Sequence, residues 1–120
     1  MNHRRLNAYH IMWIFVFFDL PTLTKPQRKS AARFRKDLEA FGFKMMQFSV
    51  YVRHCPSYQH VEAHTKRIIS RVPDEGNVKI MAVTDKQYSS IVNFWRAPSG
   101  PKKSRVKRSD IRGQLQLELF

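Results

Sequence analysis

The carboxylate of Asp19 is the side chain in this sequence best placed to bind a hard cation. Asp19 follows the apolar run Ile11–Phe18, and no other acidic residue precedes Asp37. A carboxylate there either organises the turn into Leu20-Pro21 or serves as a ligand for Mg²⁺. The residue types alone favour the turn. The metal alternative becomes stronger if a two-fold axis brings the carboxylates of two chains to one ion.

Histidine and cysteine provide a second arrangement that could hold a metal. His60 and His64 are one helical turn apart on a predicted helix, and His54 and Cys55 lie just before it. Nitrogen and sulfur donors of this kind bind zinc, but the spacing matches no standard finger or ribbon. Histidines that face solvent on a basic helix are therefore the simpler interpretation.

Several enzyme classes are excluded because their sequence motifs are missing. The glycines are too scattered to form a phosphate-binding loop, and neither a GxSxG nor an HExxH pattern occurs. Asp85 also stands at a predicted strand end and could assist Asp19 as a ligand, although a turn residue is its simpler role. Asp19 remains the candidate metal ligand.

The chain is strongly basic and points to a polyanionic partner. Its 120 residues carry 22 Lys and Arg against 9 Asp and Glu, a formal net charge of +13. Nucleic acid is the favoured partner, although composition alone does not separate it from lipid headgroups or an acidic protein. Acids are nearly absent around two basic groups, so we expect both to contact the phosphates of a duplex. The nucleic-acid-binding candidates are Arg28, Lys29, Arg33, Lys36, Lys102, Lys103, Arg105, Lys107 and Arg108.

Cysteine usage and the N-terminal region favour a cytoplasmic protein without a membrane partner. Cys55 is the only cysteine, so no intrachain disulfide can form. Arg4 and Arg5 precede the run Ile11–Phe18 in the order of a secretory signal, but no small-residue cleavage site follows. The run is also far shorter than the roughly 20 residues that cross a bilayer. It is predicted to be a buried strand.

Hydrophobic periodicity predicts the elements that position these side chains. The predicted order is a strand at Ile11–Phe18, a helix at Lys25–Phe41, extended chain at Lys44–Arg53 that is one strand or two broken near Ser49, a helix at Pro56–Val72, and strands at Asn77–Thr84 and Ser89–Trp95. On the first helix, Arg35 is expected on the same solvent-facing ridge as the other basic residues. On the second, the inward positions are Val61, Thr65, Ile68, Ile69 and Val72.

This order predicts an α+β, ferredoxin-like βαββαβ fold, with an antiparallel sheet and both helices on one face. Because the first strand is apolar on both faces, a second copy of the chain is expected to cover the other face. We expect an N-terminal extension at residues 1–10, the ferredoxin-like domain at 11–96 and a basic linker at 97–113. Residues 114–120 alternate Leu with polar residues and are predicted to form a C-terminal strand that docks on the partner subunit.

Several short motifs resemble one family across nearly the whole domain. They are FVFFDLPT at Phe15–Thr22, the pair Arg28-Lys29, FRKDLEAFGF at Phe34–Phe43, QFSVY at Gln47–Tyr51, VTDKQY at Val83–Tyr88 and QLELF at Gln116–Phe120. In this order and spacing they resemble the CRISPR-associated endoribonuclease family, the small second subunit of the spacer-acquisition complex. The resemblance is to the branch found with single-effector (type II) systems.

The resemblance implies a ferredoxin-like homodimer that sits between two dimers of the CRISPR integrase subunit and holds a duplex DNA spacer precursor. Family members are commonly described as Mg²⁺-dependent endonucleases, with RNA as an alternative substrate, and Asp19 matches their metal-binding catalytic aspartate. In many members nuclease activity is weak or absent and the role in spacer acquisition is structural, so an enzyme and a non-catalytic scaffold both remain open. The alternative outside the family is a stand-alone ferredoxin-like ribonuclease or RNA-binding domain.

Overall fold

The computed structural model describes residues 11–99, which have an α+β structure. The chain divides after Asp85 into two compact units. The elements in chain order are β1 (Met12–Asp19), α1 (Lys25–Ala40), β2 (Lys44–Gln47), β3 (Val50–Cys55), α2 (Tyr58–Ile69), β4 (Asn77–Thr84) and α3 (Asp85–Ser89). Over residues 11–99, no helix is long and apolar enough to cross a membrane.

The four strands form one antiparallel sheet in the order β2-β3-β1-β4. β1 lies inside the sheet, where strands on both sides shield its apolar residues. This topology confirms the predicted βαββαβ order, and the extended segment around Ser49 forms two strands. The predicted N-terminal extension, most of the basic linker and the C-terminal strand lie outside the described residues.

Both long helices cover the same face of the sheet, as predicted. Alternate residues of β1 enter a core shared with α1 and α2, formed by Met12, Ile14, Val16, Phe18, Phe34, Leu38, Val61 and Ile68. Trp13, Phe15 and Phe17 have the opposite parity and lie on the other face. Phe15 is nevertheless buried, since Val52 of β3 and Met81 of β4 flank it in register on that face.

Helix α1 begins and ends as its sequence predicts. The Thr24 hydroxyl accepts a hydrogen bond from the Gln27 backbone N–H at 3.2 Å, and the Gln27 side chain accepts one from the Thr24 N–H at 2.9 Å. This capping box satisfies two N–H groups that the first turn leaves unpaired. At the other end Gly42 has a φ of 87°, a conformation that favours glycine, and Phe43 N–H returns to Leu38 O.

Helix α2 differs from the prediction in which residues it buries. Its core side chains are Val61, His64 and Ile68, whereas Ile69 is 61% exposed, so its predicted inward position is wrong. The buried positions are three, four and seven residues apart, and they define a helical face that excludes Ile69. His64 occupies the position on this face that an apolar residue would normally take.

The predicted strand at Ser89–Trp95 is also wrong. The segment Asp85–Tyr88, expected to be a turn between strands, belongs to α3, and residues 91–99 have no regular secondary structure. Two serine hydroxyls favour the helical turn by bonding to its carbonyls. Ser89 Oγ donates to Lys86 O at 2.9 Å and Ser90 Oγ donates to Gln87 O at 2.7 Å.

Candidate functional site

The carboxyl end of β1 presents Asp19 at a concave surface. Asp19 is exposed and stands opposite Asn77 of β4 in the antiparallel register. Paired residues point to the same side of a sheet, so the carboxylate and the carboxamide are neighbours. The concavity has a volume of about 260 Å³, and Ser49 and Lys79 also line it.

The backbone around Asp19 is fixed from two sides. Phe18 N–H donates to Ser49 O at 3.1 Å, which ties the β2–β3 turn to the end of β1. Gly76 has a φ of 117°, and a Cβ placed on it would lie 3.0 Å from Asp19 O and even closer to Leu20 Cδ2. Only glycine allows the loop before β4 to approach this closely. The fold therefore holds the Asp19 backbone in place and leaves its side chain exposed.

The Asp19 carboxylate does not organise the turn that follows it. Within the part of the chain that the structure describes, it accepts no hydrogen bond and pairs with no cation. Arg28 supports the following loop instead, because its Nη1 donates to Thr22 O at 3.1 Å and to Leu23 O at 3.0 Å. The turn alternative for Asp19 thus has no support, and the carboxylate is available to a ligand.

The donor set of one chain fits Mg²⁺ only in part. No group of three His, Cys, Asp or Glu side chains comes together among residues 11–99. Asp19 and Asn77 offer one carboxylate and one amide oxygen, whereas Mg²⁺ takes six oxygen ligands, usually including several waters. A second Asp19 from a two-fold-related copy would provide the missing negative charge.

Asp85 cannot assist Asp19 within one chain. In the sheet register, Asp19 pairs with the first residue of β4, whereas Thr84, just before Asp85, pairs with Met12 at the other end of β1. Asp85 Oδ1 accepts a hydrogen bond from the Trp13 indole Nε1–H at 2.7 Å. The idea that Asp85 shares a cation with Asp19 is therefore wrong for a single chain.

The zinc arrangement suggested by His54, Cys55, His60 and His64 does not form. Cys55 and His64 are buried, while His54 and His60 are exposed, so the four side chains do not share a centre. Burial also raises the pKa of the Cys55 thiol, which disfavours the thiolate that zinc binds. The alternative prediction, that these histidines face solvent on a basic helix, is wrong for His64, because His64 is buried.

Half-buried Arg53 of β3 and buried His64 of α2 lie close enough for the Arg53 charge to act on the imidazole. Arg53 Nη1 donates to Phe41 O at 2.8 Å, but neither Arg53 Nε nor His64 Nδ1 has a hydrogen-bond partner among the described residues. Burial lowers the pKa of His64, and the charges of Arg53, Arg67 and His60 add to this effect. The sequence did carry a signal for the burial of His64, because His64 is three residues from Val61 and therefore lies on the same helix face.

The basic residues of α1 separate into three kinds of environment. Lys29, Arg33 and Lys36 are exposed, as a phosphate-binding role requires. Arg28 is exposed but supports the loop after β1. Arg35 does not belong to the solvent-facing ridge, because it is half-buried against aromatic rings. The second basic group, from Lys102 to Arg108, lies outside the described residues.

The sequence prediction missed one exposed aromatic side chain close to this site. Phe48 falls within the extended chain predicted at Lys44–Arg53, but it occupies the turn between β2 and β3 and is 78% exposed. Its neighbour Ser49 has a φ of 66°, in the left-handed region that few serines adopt. The possible break near Ser49 in the predicted strand indicated a turn, but it did not predict that the Phe48 ring would face solvent.

Comparison with known proteins shows similarity over most of the chain. The sequence model of one family, described as CRISPR associated protein Cas2, matches residues 12–91. The chain is 48% identical over 119 residues to a CRISPR-associated endoribonuclease Cas2 of Flavobacterium psychrophilum, spanning 99% of this chain and 96% of that protein. It is 51% identical over 106 residues to one of Parvibaculum lavamentivorans, spanning 88% and 99%.

A solved structure described as "Crystal structure of cas2" is also similar. It has 22% sequence identity and a TM-score of 0.48, and the alignment covers 81% of this chain and 95% of that one.

Proposed function

This chain belongs to the CRISPR-associated Cas2 family, and from that membership we propose that it is the dimeric subunit of a CRISPR adaptation complex. In this role it bridges dimers of the integrase subunit in the cytoplasm and holds a duplex DNA spacer precursor. We place it in the single-effector (type II) branch, whose motifs it resembles. The observation that carries the proposal is the Asp19 carboxylate, which forms no bond within residues 11–99 and stands at the edge of an apolar sheet face.

The apolar sheet face supports a homodimer. Besides buried Phe15, it carries half-buried Trp13 and Phe17 of β1 and half-buried Val83 of β4, and Met81 of β4 is 46% exposed. Both long helices pack on the opposite face, so they cannot cover these residues. A second copy packed face to face would remove this apolar surface from water. A two-fold axis near Phe17 would bring two Asp19 carboxylates to one site.

Such a paired site supports Mg²⁺-dependent phosphodiester cleavage. When bound, Mg²⁺ supplies a Lewis acid that neutralises a phosphate oxygen and lowers the pKa of a bound water. Each chain contributes one Asp19 carboxylate on a fixed backbone. Asn77 adds an amide next to it, and exposed Lys79, on the same face, attracts the phosphate. Spacer capture does not require this chemistry, so the subunit also serves as a scaffold.

The exposed cations of α1 support backbone contacts with a duplex. Lys29, Arg33 and Lys36 have no carboxylate partner among residues 11–99. Unpaired cations on a helix attract phosphates regardless of base sequence. The precursor is therefore recognised by its backbone and not by its base sequence.

The names of the relatives favour one other function. The relatives from Flavobacterium and Parvibaculum are called endoribonucleases, which favours RNA as the substrate of the Asp19 site. Membership of the Cas2 family contradicts the alternative of a domain unrelated to CRISPR. A CRISPR-associated ribonuclease that acts alone would use the same carboxylate and would need no integrase. The two functions differ in partner and in preferred nucleic acid, so both can be measured.

The dimer is tested by placing a charge on the apolar face. We expect Met81→Glu to convert the dimer to a monomer in analytical ultracentrifugation, because the carboxylate would be buried without a partner. Ile69→Glu is the matched control, since Ile69 is also exposed but lies on α2. A folded Met81→Glu protein that stays dimeric would contradict dimerisation through this face.

The adaptation role is tested with the integrase subunit of the same host. We expect the two proteins to co-purify and to bind duplex DNA more tightly together than either does alone. Fluorescence anisotropy with duplex DNA and with RNA of the same sequence measures this preference. Failure to co-purify, combined with tighter binding or cleavage of RNA, would favour the stand-alone ribonuclease.

A further inference from the structure

The ring of Phe48 is held in solvent by the backbone of the β2–β3 turn. Ser49, the next residue, has a φ of 66° and its carbonyl accepts the Phe18 N–H at 3.1 Å. The turn is thus anchored to β1 through main-chain atoms, while the ring itself remains 78% exposed. Left-handed backbone at a non-glycine residue is uncommon and often accompanies a functional site.

Arg35 places a positive charge against this ring. Its Cζ lies 5.3 Å from the centroid of the Phe48 ring and 6.0 Å from that of Phe18. Within residues 11–99 no carboxylate pairs with the Arg35 guanidinium. The two rings therefore hold a planar cation whose charge has no counterion in the described chain.

The Phe48–Arg35 pair adjoins the Asp19 concavity. Ser49, next to Phe48 in the chain, lines that concavity together with Asp19 and Lys79. A ligand that covers the Phe48 ring therefore lies beside the candidate catalytic end of β1. Its phosphate would meet Arg35, which packs against Phe18 on the helix face of the sheet, whereas Lys79 lies with Phe17 on the opposite face.

The chemistry of this pair fits a nucleotide better than an apolar partner. An apolar surface over Phe48 would remove water from Arg35 without supplying a counterion, which is costly. A nucleotide offers an aromatic face for the ring and a phosphate for the guanidinium. Inside a duplex each base is stacked on both sides, so only an unpaired or terminal nucleotide can present a free face.

We propose that Phe48 and Arg35 form a stacking site for an unpaired nucleotide at the end of a bound duplex. The base stacks on the exposed face of the Phe48 ring and its phosphate pairs with Arg35. This inference rests on the proposed nucleic-acid function and deepens it. The α1 cations hold the duplex backbone, and the Phe48 site detects where base pairing ends.

The test compares two DNA probes on the full-length dimer at one salt concentration. One probe is a blunt duplex, and the other is the same duplex with short unpaired thymidine tails. We expect fluorescence anisotropy to show about tenfold tighter binding of the tailed probe, which corresponds to one stacked base. Phe48→Ala should abolish this preference without changing the affinity for the blunt duplex, and Phe48→Trp should retain it.

The matched control is Tyr58→Ala, which removes an aromatic side chain that is 62% exposed on α2. It should leave both affinities unchanged. A 2-aminopurine at the first unpaired position should be quenched by the wild-type protein and not by Phe48→Ala. Arg35→Lys keeps the charge but loses the planar group, so it should weaken the preference only in part.

The outcomes that would overturn the site are distinct from those that would overturn the proposed function. Equal wild-type affinity for the blunt and tailed probes would refute the stacking site alone. Binding of neither probe, with or without the integrase, would refute the nucleic-acid function and the site with it. A monomeric Phe48→Ala protein in analytical ultracentrifugation would show that the ring packs against a second copy instead.

Discussion

The two ends of β1 each have an aspartate nearby, but the two carboxylates have opposite environments. At the far end, Asp85 accepts the Trp13 indole N–H at 2.7 Å, and its own backbone N–H donates to Ile11 O at 2.9 Å. At the near end, the Asp19 carboxylate is exposed and forms no bond within residues 11–99. The bonding of a strand-end carboxylate, rather than its position in sequence, shows whether it stabilises the fold or is available to a ligand.

The same difference extends to the neighbouring titratable groups. Cys55 pairs with Met12 at the far end and is buried, although the adjacent His54 is exposed. At the near end, Lys79 and Asn77 are exposed around the concavity. Cys55 thus contributes packing at the far end, whereas the near end presents Asp19, Asn77 and Lys79 to solvent.

The largest effect is expected from exchanging one carboxylate for an amide at each end. Asp19→Asn should reduce Mg²⁺-dependent cleavage of RNA or DNA to background, since an amide cannot replace the charge that holds the ion. The variant should remain a folded dimer and still support spacer acquisition with the integrase. Asp85→Asn is the matched control and should cleave at the wild-type rate.

The outcome also separates catalysis from scaffolding. Cleavage retained by Asp19→Asn, in a preparation free of contaminating nuclease, would remove Asp19 from the catalytic site. If acquisition were lost while the complex with the integrase still assembled, hydrolysis itself would be part of the biological role. Cleavage assays with and without EDTA, together with an acquisition assay, measure both properties.

The next effect concerns the exposed cations of α1. Replacing Lys29, Arg33 and Lys36 together by Gln should flatten the slope of log affinity against log salt by about 2.7, taking roughly 0.9 per phosphate contact. Anisotropy titrations of duplex DNA over a range of salt concentrations measure this slope. The control is Lys66→Gln with Arg71→Gln, two exposed cations of α2 and the segment after it. An equal change per charge in the control would mean that the slope reports net charge rather than contacts.

A smaller effect is expected on the free energy of unfolding. Here a change at the far end of β1 should matter more than a change at the near end. Trp13→Phe removes the donor to Asp85 and should lower the free energy of unfolding by about 1–2 kcal/mol. Asp19→Asn should change it by less than about 0.5 kcal/mol, because the Asp19 side chain is exposed and unbonded. Urea unfolding of both variants provides the comparison. Equal stability losses would show that Asp19 has a structural role after all.

The smallest effect is a pH dependence that comes from His64. Burial lowers the pKa of His64 from its ordinary value of 6.5, so below that value the unfolded chain binds a proton that the folded chain does not. The free energy of unfolding should therefore fall as pH decreases from about 6.5 toward the folded pKa. His64→Leu should make this part of the profile flatter. An unchanged profile would assign the dependence to other groups.

The order of elements and the type of fold could be predicted from the sequence because they depend on local patterns. Periodicity placed β1, α1 and β4 to within about one residue, and the Thr24-to-Gly42 signals defined the helix that carries the basic group. The chain order of two helices and four strands left few possible topologies. The position of Asp19 at the end of the most apolar strand was also local information.

The roles of individual side chains depended on contacts between distant segments. The strand register, which pairs Met12 with Thr84, separates Asp85 from Asp19, and no local pattern contains that register. The burial of His64 and the packing of Arg35 on Phe48 likewise require two elements to meet. The sequence by itself determined which elements form and where the unusual carboxylate lies. Only the tertiary structure decided which polar groups remain free, because long-range packing sets burial and hydrogen bonding.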